Sequence, residues 1–196
     1  PKGTTHHTFL YTWHVPNRYS GVTHKRKQSD AGSRTRRLEG YYYANFFNSA
    51  ADVSAYVREH FDELSTRTRR FHRDFFASTA PDFVLAQINS HLNTFLTSAW
   101  LTKNADFGIQ EGLTDDRNWG PLATIDVSTY GAIPAAALFP ELEHNAMRAH
   151  ARLQWPSGEI GHGINRDFAS LDSDETVHSR LDLPSQFVLL ALRGYF

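Results

Sequence analysis

The chain has no cysteine among its 196 residues, which removes disulfides, thiolate nucleophiles and cysteine-ligated zinc together. It has no apolar run near the roughly 20 residues that a membrane-spanning helix requires. Charge of one sign is also missing: 20 Lys and Arg stand against 21 Asp and Glu, so no whole-chain field argues for nucleic acid or an anionic membrane. No HExxH, GxSxG, Walker loop or dinucleotide fingerprint occurs, which argues against the metalloprotease, hydrolase-elbow and nucleotide classes. No repeat recurs at a fixed period. Residues 1–7 form neither a signal peptide nor an initiator Met start, and the helical pattern over 184–193 stops at Phe196 without a C-cap. The chain is therefore expected to be cut from something longer and, lacking both leader and cysteine, to be cytoplasmic.

What the chain does contain is an aromatic-rich apolar set. With 40% hydrophobic residues and 14 Phe, 8 Tyr and 4 Trp, it is long enough to bury a core and has material for aromatic-lined clefts. Thr8 to Val15 alternates Phe9, Tyr11, Trp13 and Val15 with Leu10, Thr12 and His14, a period of two that predicts a strand ended by Pro16. Its pairing partners are expected upstream. Residues 17–40 are polar and basic, with Arg18, Lys25, Arg26, Lys27, Arg34, Arg36 and Arg37. They lack the interleaved aromatics of a nucleic-acid groove, and a solvated linker is the simpler reading.

From Tyr41 the period becomes helical. Ser49 is a good N-cap, Asp52 suits the first turn, and Val53, Val57, Phe61, Leu64, Thr68, Phe71 and Phe75 mark the core side of one long helix. Pro81 opens a second, with Leu85, Ile88, Leu92, Phe95 and Ala99 as its apolar side, antiparallel to the first. A third runs from about Thr124 to Leu138, kinked or split by Pro134, and a fourth from about Pro140 to Leu153. Gln154 to Asp182 is a long irregular connection, the kind of loop that in a helical fold is functional or disordered.

Two stretches offer chemistry. Glu111 closes the short β-like run Phe107-Gly108-Ile109-Gln110, and Asp126 opens the next helical segment in Ala123-Thr124-Ile125-Asp126-Val127-Ser128. Either carboxylate alone reads equally as an ordinary loop or helix-start residue. Trp119, the large apolar residue of the polar loop between them, could stack on a sugar face or pack under the loop. His162, between Gly161 and Gly163, could approach a ligand closely. Metal is disfavoured despite 11 histidines, because His144 and His150 are six apart and so lie off one helix face. The run Asp172-Ser173-Asp174-Glu175 lacks the EF-hand spacing and reads as surface loop. Carboxylates with His support on a helical frame fit glycoside hydrolysis, in which one carboxylate attacks or activates water and a second assists the leaving group.

Phe107-Gly108-Ile109-Gln110-Glu111-Gly112, Thr124-Ile125-Asp126-Val127-Ser128-Thr129-Tyr130-Gly131 and Leu138-Phe139-Pro140-Glu141-Leu142-Glu143, taken in order, resemble glycoside hydrolase family 116. This family includes non-lysosomal glucosylceramidases, β-glucosidases and β-xylosidases. The likeness extends back through Leu10-Tyr11-Thr12-Trp13 and Tyr43-Ala44-Asn45-Phe46-Phe47, and forward through Gly161-His162 to Asp182-Leu183-Pro184-Ser185-Gln186-Phe187-Val188. It implies an all-α fold that is part of an (α/α)6 toroid, preceded by the last strand of an N-terminal β-sandwich. On that division residues 1–16 are the strand, 17–40 a linker and 41–196 the first, incomplete part of the catalytic domain.

The resemblance further implies a retaining β-glycosidase acting on β-glucosides, with Glu111 as nucleophile and no cofactor or metal. Asp126 and His162 fall at sugar-hydroxyl positions, and Thr124 and Trp119 join the substrate-binding set. The acid/base residue is expected downstream of Phe196. The partner so implied is a carbohydrate or glycoside, not a nucleic acid. A β-xylosidase of the related family 52 type is the nearest enzyme alternative, and a non-catalytic carbohydrate-binding homologue without the acid/base is the alternative of a different class.

Overall fold

The computed structural model of the chain describes residues 3–5, 7–19, 38–110, 121–171 and 180–195. Over these residues the protein is mainly helical, with one small antiparallel sheet. Tyr42–Asn45 forms a 3-10 turn, followed by α1 (Ala50–Glu59), α2 (Phe61–Phe76), α3 (Asp82–His91) and the single turn α4 (Thr94–Thr97). Strands β1 (Ala99–Leu101) and β2 (Phe107–Ile109) come next, then α5 (Ile125–Gly131), α6 (Ile133–Leu138), α7 (Pro140–Leu153) and α8 (Leu183–Arg193).

Local chemistry sets several of these boundaries. Ser49 caps α1 by accepting the Asp52 N–H at 3.1 Å, and Asp52 accepts the Asn48 N–H in return. The expected long first helix is two: the chain departs from helical geometry at His60 (φ −105°, ψ 13°) and restarts at Phe61. Pro134 sits in the first turn of α6, where its missing N–H costs nothing, so the chain splits at Ala132 rather than kinks. The expected second helix stops early. Ala99, assigned there to a helical apolar face, lies in β1 opposite Ile109, because residues 99–101 pair with 107–109.

The core lies in the second half of the chain. Leu122, Ile125, Ile160 and Ile164 are wholly or almost wholly buried, together with Phe107, Ala146, Met147, Ala149, Leu183 and Leu190. Each such aliphatic side chain contributes about 1.5–3 kcal/mol by leaving water. By contrast α1 and α2 bury no residue, so the apolar stripe expected to be core is half-buried or exposed. Helices α5 and α8, α6 and α7, and α7 and α8 pack against one another, and α7 covers β2. This block carries the candidate site.

The segment before Pro16 keeps its period of two without a ladder among the described residues. Phe9, Tyr11, Trp13 and Val15 face solvent, while Thr12, His14 and Pro16 turn inward. Thr12 Oγ1 donates to the Ala50 carbonyl at 3.2 Å, His14 Nε2 to that of Phe47 at 2.9 Å, and the Val15 N–H to the Tyr43 hydroxyl at 2.8 Å. It is the polar side of the alternation that holds the helical body.

Candidate functional site

The site is built around residues 121–126. Leu122 exchanges two backbone hydrogen bonds with Ile164, at 2.7 and 2.8 Å, and the Ala123 N–H reaches the Ile109 carbonyl at 3.0 Å. The segment is thus a middle layer between β2 and the 160–164 loop. Glycine makes that layering possible on both sides. A Cβ on Gly108 would sit 2.8 Å from Leu122 Cβ, and one on Gly163 would sit 2.6 Å from Pro121 Cβ and 3.0 Å from the Leu122 carbonyl oxygen. The bulk missing at Gly163 therefore makes room for this segment rather than for a ligand.

Ala123 takes a positive φ of 48°, sparsely populated for a residue with a side chain. Both its backbone groups are held: the N–H by Ile109 and the carbonyl by His150 Nε2 at 2.8 Å. His150 is fully buried in α7, its Nδ1 has no partner, and burial pushes its pKa down to about 4. A neutral imidazole with its proton on Nε2 satisfies that geometry.

Ala123 turns the chain into α5, with buried Thr124 at the N-cap and Asp126 in the first turn. Asp126 is therefore not the cap itself. Its Oδ1 accepts His162 Nε2 at 3.0 Å and the Val127 N–H at 2.9 Å, and its Oδ2 accepts Arg180 Nη1 at 2.7 Å. Since an ionised carboxylate can only accept, the His162 proton lies on Nε2. Burial alone would raise the Asp126 carboxyl, but the charge of His162, the Val127 and His162 hydrogen bonds and the charge of Arg180 together hold it below the ordinary carboxylate value. The carboxylate keeps 30% of its side-chain surface exposed, so it forms a fixed negative point with an open edge.

His162 holds the start of α5 twice, through its ring to Asp126 and through its carbonyl, which accepts the Ile125 N–H at 2.8 Å. The far end of the same helix is held by Arg193 of α8. Its Nη1 and Nη2 donate to the Thr129 and Ser128 carbonyls at 2.9 and 3.0 Å, and its guanidinium pairs with buried Glu143 of α7 through Nε, at 2.9 Å, and Nη2. A cation on the last-turn carbonyls is where the helix dipole favours one.

Of the residues singled out in the sequence, Thr124, Asp126 and His162 come together here. Glu111 and Trp119 lie outside the described residues; the chain before them ends at Gln110, which is buried and bridges to Leu122. Arg180, Arg193, Glu143 and His150 were not singled out for this centre. Arg180 stands two residues before the Asp182-Leu183-Pro184 stretch, and Glu143 closes the Leu138–Glu143 stretch, so both were within sight of a motif. Of the two histidines weighed for metal, His150 holds Ala123 and His144 Nε2 donates to the Gly194 carbonyl at 2.6 Å. A separate apolar cleft of about 330 Å³, lined by Tyr41, Tyr43, Phe95, Phe107, Phe139 and Leu142, contains none of the Asp126 cluster. No helix among the described residues is long and apolar enough to cross a membrane.

No family model, curated protein or solved structure matches this chain.

Proposed function

We propose that the protein is part of a retaining β-glycosidase acting on β-glucosides, in which Glu111 attacks the anomeric carbon and Asp126 with His162 holds sugar hydroxyls. The observation that carries this reading is the joining of Asp126 and His162, 36 residues apart, into one preorganised polar centre with an exposed carboxylate edge. A carboxylate with both oxygens already oriented, beside an imidazole, suits recognition of vicinal hydroxyls, and its depressed pKa keeps it an acceptor. Asp126 is then a binding group and not half of a catalytic pair, which in a retaining enzyme stands about 5–5.5 Å apart. On this proposal the helical body is the opening part of an (α/α)6 toroid, and the segment before Pro16 belongs with a β-sandwich.

The test is hydrolysis of an aryl β-glucoside by the full-length protein. Glu111→Ala abolishes turnover, and azide, standing in for the missing nucleophile, restores part of it as the glycosyl azide. Full activity in the variant sinks the assignment; activity on the aryl β-xyloside alone transfers it to a xylosidase.

A second reading has its own support. Among the described residues the carboxylates Asp126 and Glu143 are committed to His162 with Arg180 and to Arg193, as in a binding module without catalysis. Sugar binding by the full-length protein with no turnover would select it.

A further inference from the structure

A second centre lies apart from the Asp126 cluster, where the chain passes Pro16. Arg18, counted in the sequence as part of a solvated linker, is 94% buried (6% exposed). Its backbone is fixed, since its carbonyl accepts the Glu39 and Gly40 N–H groups at 2.8 and 3.2 Å. Its guanidinium carbon lies 3.4 Å from the centroid of the Trp100 ring, a stacking distance, and Arg166 reaches the same ring at 5.6 Å. Yet Nη1 and Nη2 are both buried without a hydrogen-bond partner.

The indole offsets the charge of Arg18 but cannot satisfy its donors. A guanidinium stacked on a ring carries its N–H bonds in its own plane, so they point past the ring edge. Glu39 is buried close enough for its charge to favour that of Arg18, but it does not hydrogen-bond either nitrogen. Buried donors without acceptors are rare and unfavourable, and two on one guanidinium form a planar fork. The acceptor that fits is a pair of coplanar oxygens, because bidentate pairing with carboxylate or phosphate engages both N–H groups at once.

We propose that Arg18, stacked on Trp100 and flanked by Arg166, is a binding site for an oxyanion, the carboxylate or phosphate group of a ligand. This site is independent of the glycosidase reading, and neither depends on the other.

The probes are sodium acetate and sodium phosphate, each titrated into the full-length protein at constant ionic strength against sodium chloride, with melting temperature and tryptophan fluorescence as readouts. The expected result is a saturable rise in melting temperature with at least one oxyanion beyond that with chloride, accompanied by a fluorescence change that Trp100→Phe removes. Arg18→Met abolishes the rise. Arg18→Lys, which keeps the charge but loses the fork, weakens binding by about tenfold or more and serves if the Met variant does not fold. A response to acetate alone identifies a carboxylate ligand, and one to phosphate alone a phosphate. Equal responses to chloride and both oxyanions, or an undiminished response in Arg18→Lys, would overturn the proposal.

Discussion

Replacing His150 with glutamine isolates one buried titration. In the folded protein His150 is fully buried, donates through Nε2 to the Ala123 carbonyl at 2.8 Å, and has its pKa pushed down from 6.5 to about 4. Desolvation is the chief cause; the Ala123 hydrogen bond partly opposes it and the charge of His162 adds to it. Between those two pH values the unfolded chain takes up a proton that the folded chain refuses. Falling pH therefore favours unfolding across that window, and the effect is complete below the folded pKa. At about 1.4 kcal/mol per pH unit the loss from this one group amounts to about 3 kcal/mol. His150→Gln keeps an N–H donor for Ala123 but cannot titrate. At neutral pH the variant is less stable, by about 1–2 kcal/mol, for imperfect replacement of a buried hydrogen bond. As pH falls from about 6.5 to about 4, its deficit against the wild type shrinks, and then reverses as the full 3 kcal/mol is lost from the wild type. Urea midpoints for both proteins at half-unit steps across the window measure this difference. A stability difference that stays constant with pH would refute a neutral, buried His150 beneath Ala123.

Gly163→Ala places a methyl 2.6 Å from the Pro121 ring, and a fixed ring cannot yield cheaply. The cost is about 1–3 kcal/mol, at about 2–4 °C of melting temperature per kcal/mol, and an unchanged melting curve would show that the 160–164 loop does not press on Pro121. Arg193→Met leaves Glu143 charged and buried and removes the donors to the Ser128 and Thr129 carbonyls, which destabilises by about 3–5 kcal/mol. Pairing it with Glu143→Leu removes the stranded charge and should recover most of that loss; a double variant no more stable than the single one would show that the ion pair is not the source.

Elements governed by local chemistry were legible. The bounds of α7, the start of α8 and the split at Pro134 follow from prolines at helix starts and apolar periodicity within one turn. Elements decided by distant partners were not. The run through Phe95 and Trp100 fits a helix or a strand on periodicity alone, and pairing with 107–109 selects the strand at Ala99–Leu101. The apolar stripe of α2 identifies a helix face correctly, but periodicity says nothing about what covers it. The same distinction divides the site. Asp126 and His162 stand in recognisable local settings, whereas Arg180 meets Asp126 across 54 residues and Arg193 meets the Ser128 carbonyl across 65, and such pairings leave no trace at either end. Arg18 escapes the sequence for the same reason: a polar basic neighbourhood predicts solvent, whereas in the fold Arg18 is buried and stacks on Trp100, brought from β1.

The local strain and the two glycines serve one geometric end. Segment 121–125 needs neighbours close on both faces to be a buried middle layer, and Gly108 and Gly163 supply that closeness where any side chain would collide. Once sandwiched, the segment must turn sharply into α5, and Ala123 does so at positive φ because Ile109 and His150 hold its two backbone groups. With the turn fixed, His162 anchors the first turn of α5 and Arg193 its last, so the Asp126 carboxylate is held in one orientation. Five hydrogen bonds reach the seven-residue α5 from outside it, two from His162, two from Arg193 and one from Arg180, and together with the held turn at Ala123 they determine its direction.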